Sequence, residues 1–292
     1  MDAVITYVNG LDPVWLESYR SCVGDGINAK HFRDWGTLKY LLRGIEVHMP
    51  YIRNVFLVVS GESQVPVWVD RSRLKVVLHS DIIPERFLPV FNSASIEIFL
   101  HRIPGLDREF IYFNDDIFPL RDSRPEDFFR EGRAAAHFGH HLLATGMYKH
   151  HSRNGDRLAR VAAGLGPRAL FRRPQHACTA LLRSVFEEVW SMEGEHLEAS
   201  VSPIRSEDNV NFSVFADYAY YTGRTFPHRV SNRHFSTAVA SPEKICAFIA
   251  APTAGFACIN DVNMPEEKYL LFRDSLLEAF GKALPEKSRF EL

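Results

Sequence analysis

The chain has 292 residues, 46% of them hydrophobic and 24% charged, with a formal net charge of -2 at pH 7. That apolar fraction supplies a full core for one large domain or two small ones, while a near-neutral balance excludes bulk electrostatic binding to nucleic acid, which needs a basic face to displace counterions. Cys22, Cys178, Cys246 and Cys258 are scattered without a C-x-x-C pair, so neither a structural zinc site nor a disulfide framework is indicated and reduced cytosolic thiols are expected.

The first strand is predicted at Ala3–Val8, too close to the start for a charged and then apolar leader, so no secretory signal is expected. Asn9, Gly10, Asp12 and Pro13 follow it as a turn, with Gly10 available for positive φ and backbone amides able to approach a ligand; a plain turn is the competing reading. His31-Phe32-Arg33-Asp34 sets a cation before a helix N-terminus, where amides and dipole favour a phosphate; a surface Arg33–Asp34 pair is the alternative. That helix is predicted to open at Asp34 as N-cap and to carry Leu38, Leu41, Leu42 and Ile45 at i, i+3, i+4, i+7 spacing, ending before Pro50.

Further strands are predicted at Val55–Val59, Leu74–Leu78 and Phe110–Asn114, and their alternation with helices predicts an α/β sheet. A helix from Asn92 or Ser93 buries Ile96, Phe99, Leu100 and Ile103 and places Glu97 and His101 together, four residues apart. After Leu120 the alternation lapses through about Arg173, and helices are predicted again at Thr179–Trp190 and Asp208–Tyr221. Residues of about 121–225 therefore read as a helical insertion beside the sheet of a single catalytic domain spanning 1–292. His137, His140, His141, His150 and His151 form a histidine-rich stretch without strict metal-ligand spacing. Ile245–Ile259, the longest apolar stretch, is broken by Pro252 and Gly255 and is too short to span a bilayer. From Pro265 to Leu284, Tyr269, Phe272, Leu276 and Phe280 make one stripe, opened by Asn263 and Glu266 in a capping-box arrangement.

The run FIYFNDDIF, Phe110 to Phe118, carries the most chemistry. An apolar strand ends in two adjacent carboxylates, and desolvating one ionised carboxylate without a partner costs several kcal/mol. Asp115 and Asp116 must therefore meet solvent or a cation. An oxygen-seeking Mg²⁺ or Mn²⁺ suits them, since it takes one or two carboxylates and leaves positions for phosphate oxygens at the carboxyl ends of strands. A strand-ending Asx turn is the competing reading. His176 and Arg205, each ahead of a predicted helix, offer one protonatable and one cationic group to a phosphate.

Four blocks in order, ITYVNGLDPVW, HFRDWGTLKYLLRGIE, LPVFNSASIEIFLHRIPGL followed by FIYFNDD, and CINDVN, together resemble the Stealth family of sugar-phosphate transferases, over Ile5 to Asn263. The resemblance implies an α/β fold, a GT-A-like (Rossmann-like) mixed sheet flanked by helices with a helical insertion. It further implies transfer of a hexose-1-phosphate, typically N-acetylhexosamine-1-phosphate, from a UDP-sugar to a sugar hydroxyl of a glycan acceptor, giving a phosphodiester and UMP. Carried over block by block, Asn9 and Asp12 look like donor contacts, with Gly10, Arg33, Asp34, Asn92, Ser93 and Asn114 also on the substrate side. Asp115 and Asp116 look like the Mg²⁺ or Mn²⁺ and diphosphate site, and Arg205 like a phosphoryl clamp.

Glu97 and His176 remain as proton-transfer candidates, His176 favoured because a neutral imidazole takes a proton near pH 7. Tyr7 replaces the usual tryptophan, Gln175 stands between Pro174 and His176, and the large inserted modules of animal members are missing, which points to a bacterial polymer enzyme. The implied setting is cytoplasmic, with peripheral docking at the inner membrane face through other components. Two other readings stand: a metal-dependent GT-A glycosyltransferase releasing UDP, and a non-catalytic carbohydrate-binding domain.

Overall fold

The computed structural model describes residues 1–24 and 32–292, so His31 lies outside the described residues. The chain opens with β1 (Asp2–Thr6), α1 (Pro13–Val23), α2 (Leu38–His48), β2 (Val55–Val59), β3 (Lys75–Leu78), the single turn α3 (His79–Ile82), α4 (Ser93–Glu97) and β4 (Glu109–Asn114). Next come β5 (Ile117–Pro119), β6 (Phe129–Arg130), β7 (Arg133–Ala136), β8 (Phe138–His141), α5 (Met147–Ala162), β9 (Phe171–Pro174), β10 (Thr179–Leu182), α6 (Arg183–Ala199) and α7 (Ser213–Tyr221). The remainder is β11 (Thr225–Pro227), β12 (Asn232–Ser236), α8 (Pro242–Ala250), β13 (Phe256–Asn260) and α9 (Glu266–Ala283).

The main sheet is five-stranded in the order β10-β4-β1-β2-β3. β1 runs parallel to both β2 and β4, β2 runs parallel to β3, and β10 lies antiparallel on β4. This is a mixed α/β sheet flanked by helices, as expected. β2 is buried along its whole length, as is most of β4, which is why both read as apolar runs. The chain leaves β1 toward β2 and β3 and then returns to its other side as β4. That reversal opens a crevice at the carboxyl ends of β1 and β4, where open α/β sheets bind ligands.

Several expected elements shift. Pro13, read as the last residue of a turn, instead opens a helix, Pro13–Val23, to which the sequence reading assigned no element: Asp12 Oδ1 accepts from the Val14 amide and Pro13 takes the first position, where its missing N–H leaves nothing unpaired. Asp34 does not cap α2. It closes a tight turn by accepting from the Gly36 amide at 2.9 Å, and Thr37 precedes the helix. Leu38, Leu41, Leu42 and Ile45 are all buried as predicted. α4 ends at Glu97, and a short 3₁₀ turn takes over at Leu100–Arg102. Glu97 and His101 consequently part, Glu97 facing Tyr112 and His101 packing on Phe186 and Trp190.

Residues 121–225 contribute strands as well as helices. Thr179–Leu182 is not helical but is the β10 edge strand, because Ala180, Leu181 and Leu182 bury themselves against β4. α9 buries Tyr269, Phe272, Leu276 and Phe280 as predicted, roughly 1.5–3 kcal/mol for each large apolar group removed from water. Asn263 does not cap it. Pro265 precedes the helix, and Glu266 reaches the Arg33 guanidinium at 2.8 Å. No helix among the described residues is long and apolar enough to cross a membrane.

Candidate functional site

The crevice between β1 and β4 is a cavity of about 630 Å³. Thr6 and Tyr7 enter it from the end of β1, Asn114, Asp115 and Asp116 from the end of β4, and Ser93 and Glu97 from α4. Arg33 and Asp34 close one side, while His176, between β9 and β10, and Arg205, ahead of α7, close another. Nine of the residues proposed as substrate, metal or catalytic groups from the sequence therefore share one cavity: Arg33, Asp34, Ser93, Glu97, Asn114, Asp115, Asp116, His176 and Arg205.

Asn9, Gly10, Asp12 and Asn92 sit behind this wall. Asn9 accepts from the Leu11 amide, and its own amide donates to Gln64. Asp12, besides capping α1, accepts from Ser63 at 2.6 Å and Gln64 at 2.7 Å, so its carboxylate shapes the β1 loop rather than facing the cavity. Gly10 does not use positive φ. A Cβ there would lie 2.4 Å from the Phe32 carbonyl, so the glycine is needed for close backbone approach. Asn92 caps α4 and donates to Ser95 and Asn209, tying α4 to the loop before α7.

Asp115 keeps part of its surface open to the cavity, yet the protein packed around it, then the charges of Asp116, Asp34 and Asp261, push its carboxyl up to about 8. Asp116 Oδ1 is buried with no hydrogen-bond partner among the described residues, while Oδ2 lies 3.8 Å from His176 Nε2. An orphaned carboxylate oxygen amid mutually repelling acids is what an oxygen-seeking dication satisfies. Asp115 and Asp116 therefore fit Mg²⁺ or Mn²⁺.

Burial alone would lower the His176 pKa, but the Asp116 carboxylate and then the Asn260 side chain, 3.1 Å from Nε2, hold it above the usual histidine value. Burial raises the Glu97 carboxyl to about 7 despite hydrogen bonds from the Phe212 amide and the Tyr112 hydroxyl and the nearby charges of Arg205 and His176. Arg205 is exposed and donates to Ser93 Oγ at 3.0 Å.

Sequence reasoning passed over other lining residues. Tyr148 comes from α5, as does His151, which had been noted only within the histidine-rich stretch, Arg173 comes from β9 and His234 from β12, while Asn260 ends β13 and Asp261 follows it. Arg173 lies over the Tyr148 ring at 4.8 Å. Only Asn260 and Asp261 carried a signal, inside the CINDVN block. The histidine-rich stretch disperses: His140 and His141 belong to β8, His150 meets Arg153, and His151 bonds the Ser206 carbonyl. No metal-competent group forms from that stretch among the described residues.

A family model described as Stealth protein CR2, conserved region 2, matches residues 31–137. The chain is 31% identical, over 96% of its length, to an exopolysaccharide phosphotransferase of Streptomyces coelicolor, of which it spans 49%. It is 30% identical, over 100% of its length, to the receptor polysaccharide phosphotransferase WefC of Streptococcus oralis, of which it spans 99%. Among solved structures, the galactosyltransferase LgtC in complex with donor and acceptor sugar analogs overlays with a TM-score of 0.44 at 10% identity, covering 99% of this chain and 98% of that one. With one conserved region matched and 30% identity running through nearly all of both proteins, the chain belongs to the Stealth family.

Proposed function

We propose that the chain transfers a hexose-1-phosphate, of the N-acetylhexosamine type, from a UDP-sugar to a sugar hydroxyl of a glycan, forming a phosphodiester and releasing UMP. Its relatives are named polysaccharide phosphotransferases, and one observation carries the reading. A single cavity faces Asp115 and Asp116, suited to a metal-bound diphosphate, with Arg173, Arg205 and His176.

Phosphoryl transfer asks for positioning and for neutralising charge on the phosphoryl oxygens. Mg²⁺ or Mn²⁺ held by Asp115 and Asp116 supplies that neutralisation at the diphosphate when bound. Arg205 and Arg173, which line the same cavity, clamp the transferred phosphoryl group. His176 accepts the proton of the acceptor hydroxyl as its oxygen bonds to the β-phosphorus and the bond to the UMP oxygen breaks. Asp116 and Asn260 orient the imidazole and stabilise the imidazolium that forms. Glu97 receives and orients the acceptor hydroxyl. The sugar C1–O bond stays intact.

The test is incubation with a panel of UDP-sugars and Mg²⁺, with and without short acceptor glycans, resolving UMP from UDP beside an Asp116→Asn control. UMP release that vanishes in the variant is expected. UDP release would make the chain a glycosyltransferase, and neither product would leave a carbohydrate-binding domain.

A further inference from the structure

β12 and β13 run parallel with His234 directly opposite Cys258, so both side chains rise on the same face of that small sheet. Asn260, two residues on, shares the face. It reaches His176 Nε2 at 3.1 Å and Cys258 Sγ at 3.2 Å, and draws the imidazole of a different segment toward the pair. The His176 and His234 rings stand 5.7 Å apart between centroids, and one ligand atom from each of His176, His234 and Cys258 lies within 4.8 Å of the others.

Two imidazoles and a thiol are the donor set of borderline-soft transition metals, whereas Mg²⁺ takes oxygen. Ligands bound to tetrahedral zinc at 2.0–2.3 Å sit about 3.5 Å apart, so closing the set takes about 1 Å of movement. His234 is exposed and able to supply it, while Cys258 is fixed at the buried floor. Asp116 Oδ2 lies 3.5 Å from Cys258 Sγ. Once Cys258 releases its thiol proton to solvent on coordination, the thiolate offsets part of the charge of the dication.

We propose that His176, His234 and Cys258 form a second metal site that takes a Zn²⁺-class ion, and that occupation switches the enzyme off by removing the His176 imidazole from proton transfer. The metal site stands on geometry alone; the inhibition rests on the reading of His176 given above.

The full chain is titrated with Co²⁺ in the presence of Mg²⁺. One equivalent should bring up a thiolate-to-cobalt charge-transfer band with tetrahedral ligand-field absorption, bleached by Zn²⁺ and unmoved by Mg²⁺. Cys258→Ser should abolish the band, and His234→Ala, at an exposed position, should weaken cobalt binding more than about tenfold. Absence of the band in the wild-type chain, or its persistence in Cys258→Ser, would overturn the site whatever the transfer assay shows. In the Mg²⁺-dependent transfer assay, Zn²⁺ should suppress wild-type turnover and suppress His234→Ala much less. Turnover indifferent to Zn²⁺ at concentrations that bleach the cobalt band would overturn the switch.

Discussion

His176 Nε2 stands 3.8 Å from Asp116 Oδ2, and against the lowering effect of burial that carboxylate and the Asn260 side chain together hold the imidazole above its ordinary value of 6.5. The neutral base therefore predominates only above the usual histidine range. We expect turnover to rise with pH through a midpoint above that value, and Asn260→Ala, which removes a contact that favours the imidazolium, to move the midpoint down. A kcat profile paired with NMR titration of the imidazole checks this. A midpoint at or below an ordinary histidine sinks it.

Proton transfer by one positioned side chain contributes about 10²–10⁴-fold. His176→Ala should lower kcat by that order with donor KM nearly unchanged. Glu97→Gln should raise acceptor KM and cost less in kcat, because Glu97 is held by Tyr112 and the Phe212 amide. Steady-state kinetics decide, and the opposite ranking would exchange the two roles.

Asp115 rises from an ordinary 3.8 to about 8 in the folded chain. Between those values the native state holds a proton that the unfolded state has lost. The contribution of Asp115 to stability is thus full below the lower value and declines as pH climbs through the upper one. Metal-free protein should melt at progressively lower temperature over that window. Mg²⁺ should raise the melting temperature more at the alkaline end than the acidic end, as thermal denaturation with and without the ion would show.

Gly10→Ala drives a Cβ to 2.4 Å from the Phe32 carbonyl, and the backbone pair, with the Gly10 amide donating to that carbonyl at 2.7 Å, cannot yield cheaply. Overpacking of this kind costs about 1–3 kcal/mol. The melting temperature should fall by several degrees, and donor binding should weaken because Phe32 lines the cavity. Calorimetry of both is the check.

Strand β2 and helices α2 and α9 were legible because burial on both faces, or along one stripe, leaves its period in the residue types. α5 left no such trace. Its buried face is His151, Ser152, Gly155, Asp156 and Ala159, polar or small side chains that give no apolar stripe. Asp12-Pro13 opens α1 with the same residues that open a turn. In the cavity, Asp115, Asp116 and Glu97 belong to blocks whose local sequence advertises them. His234 and Tyr148 arrive through β12 and α5, and nothing local marks them.

β10 begins three residues after His176 and pairs residue by residue with β4, the strand that Asp115 and Asp116 directly follow. The His176 imidazole and the two carboxylates are thus indexed to one another by a single ladder. A chimera that grafts a relative's intervening segment to alter acceptor choice has to exchange β10 and its β4 partner face as a unit. A one-residue slip of that edge would turn Ala180 and Leu182 to the opposite face and displace the imidazole from the carboxylates while leaving every cavity-lining residue in place in the sequence.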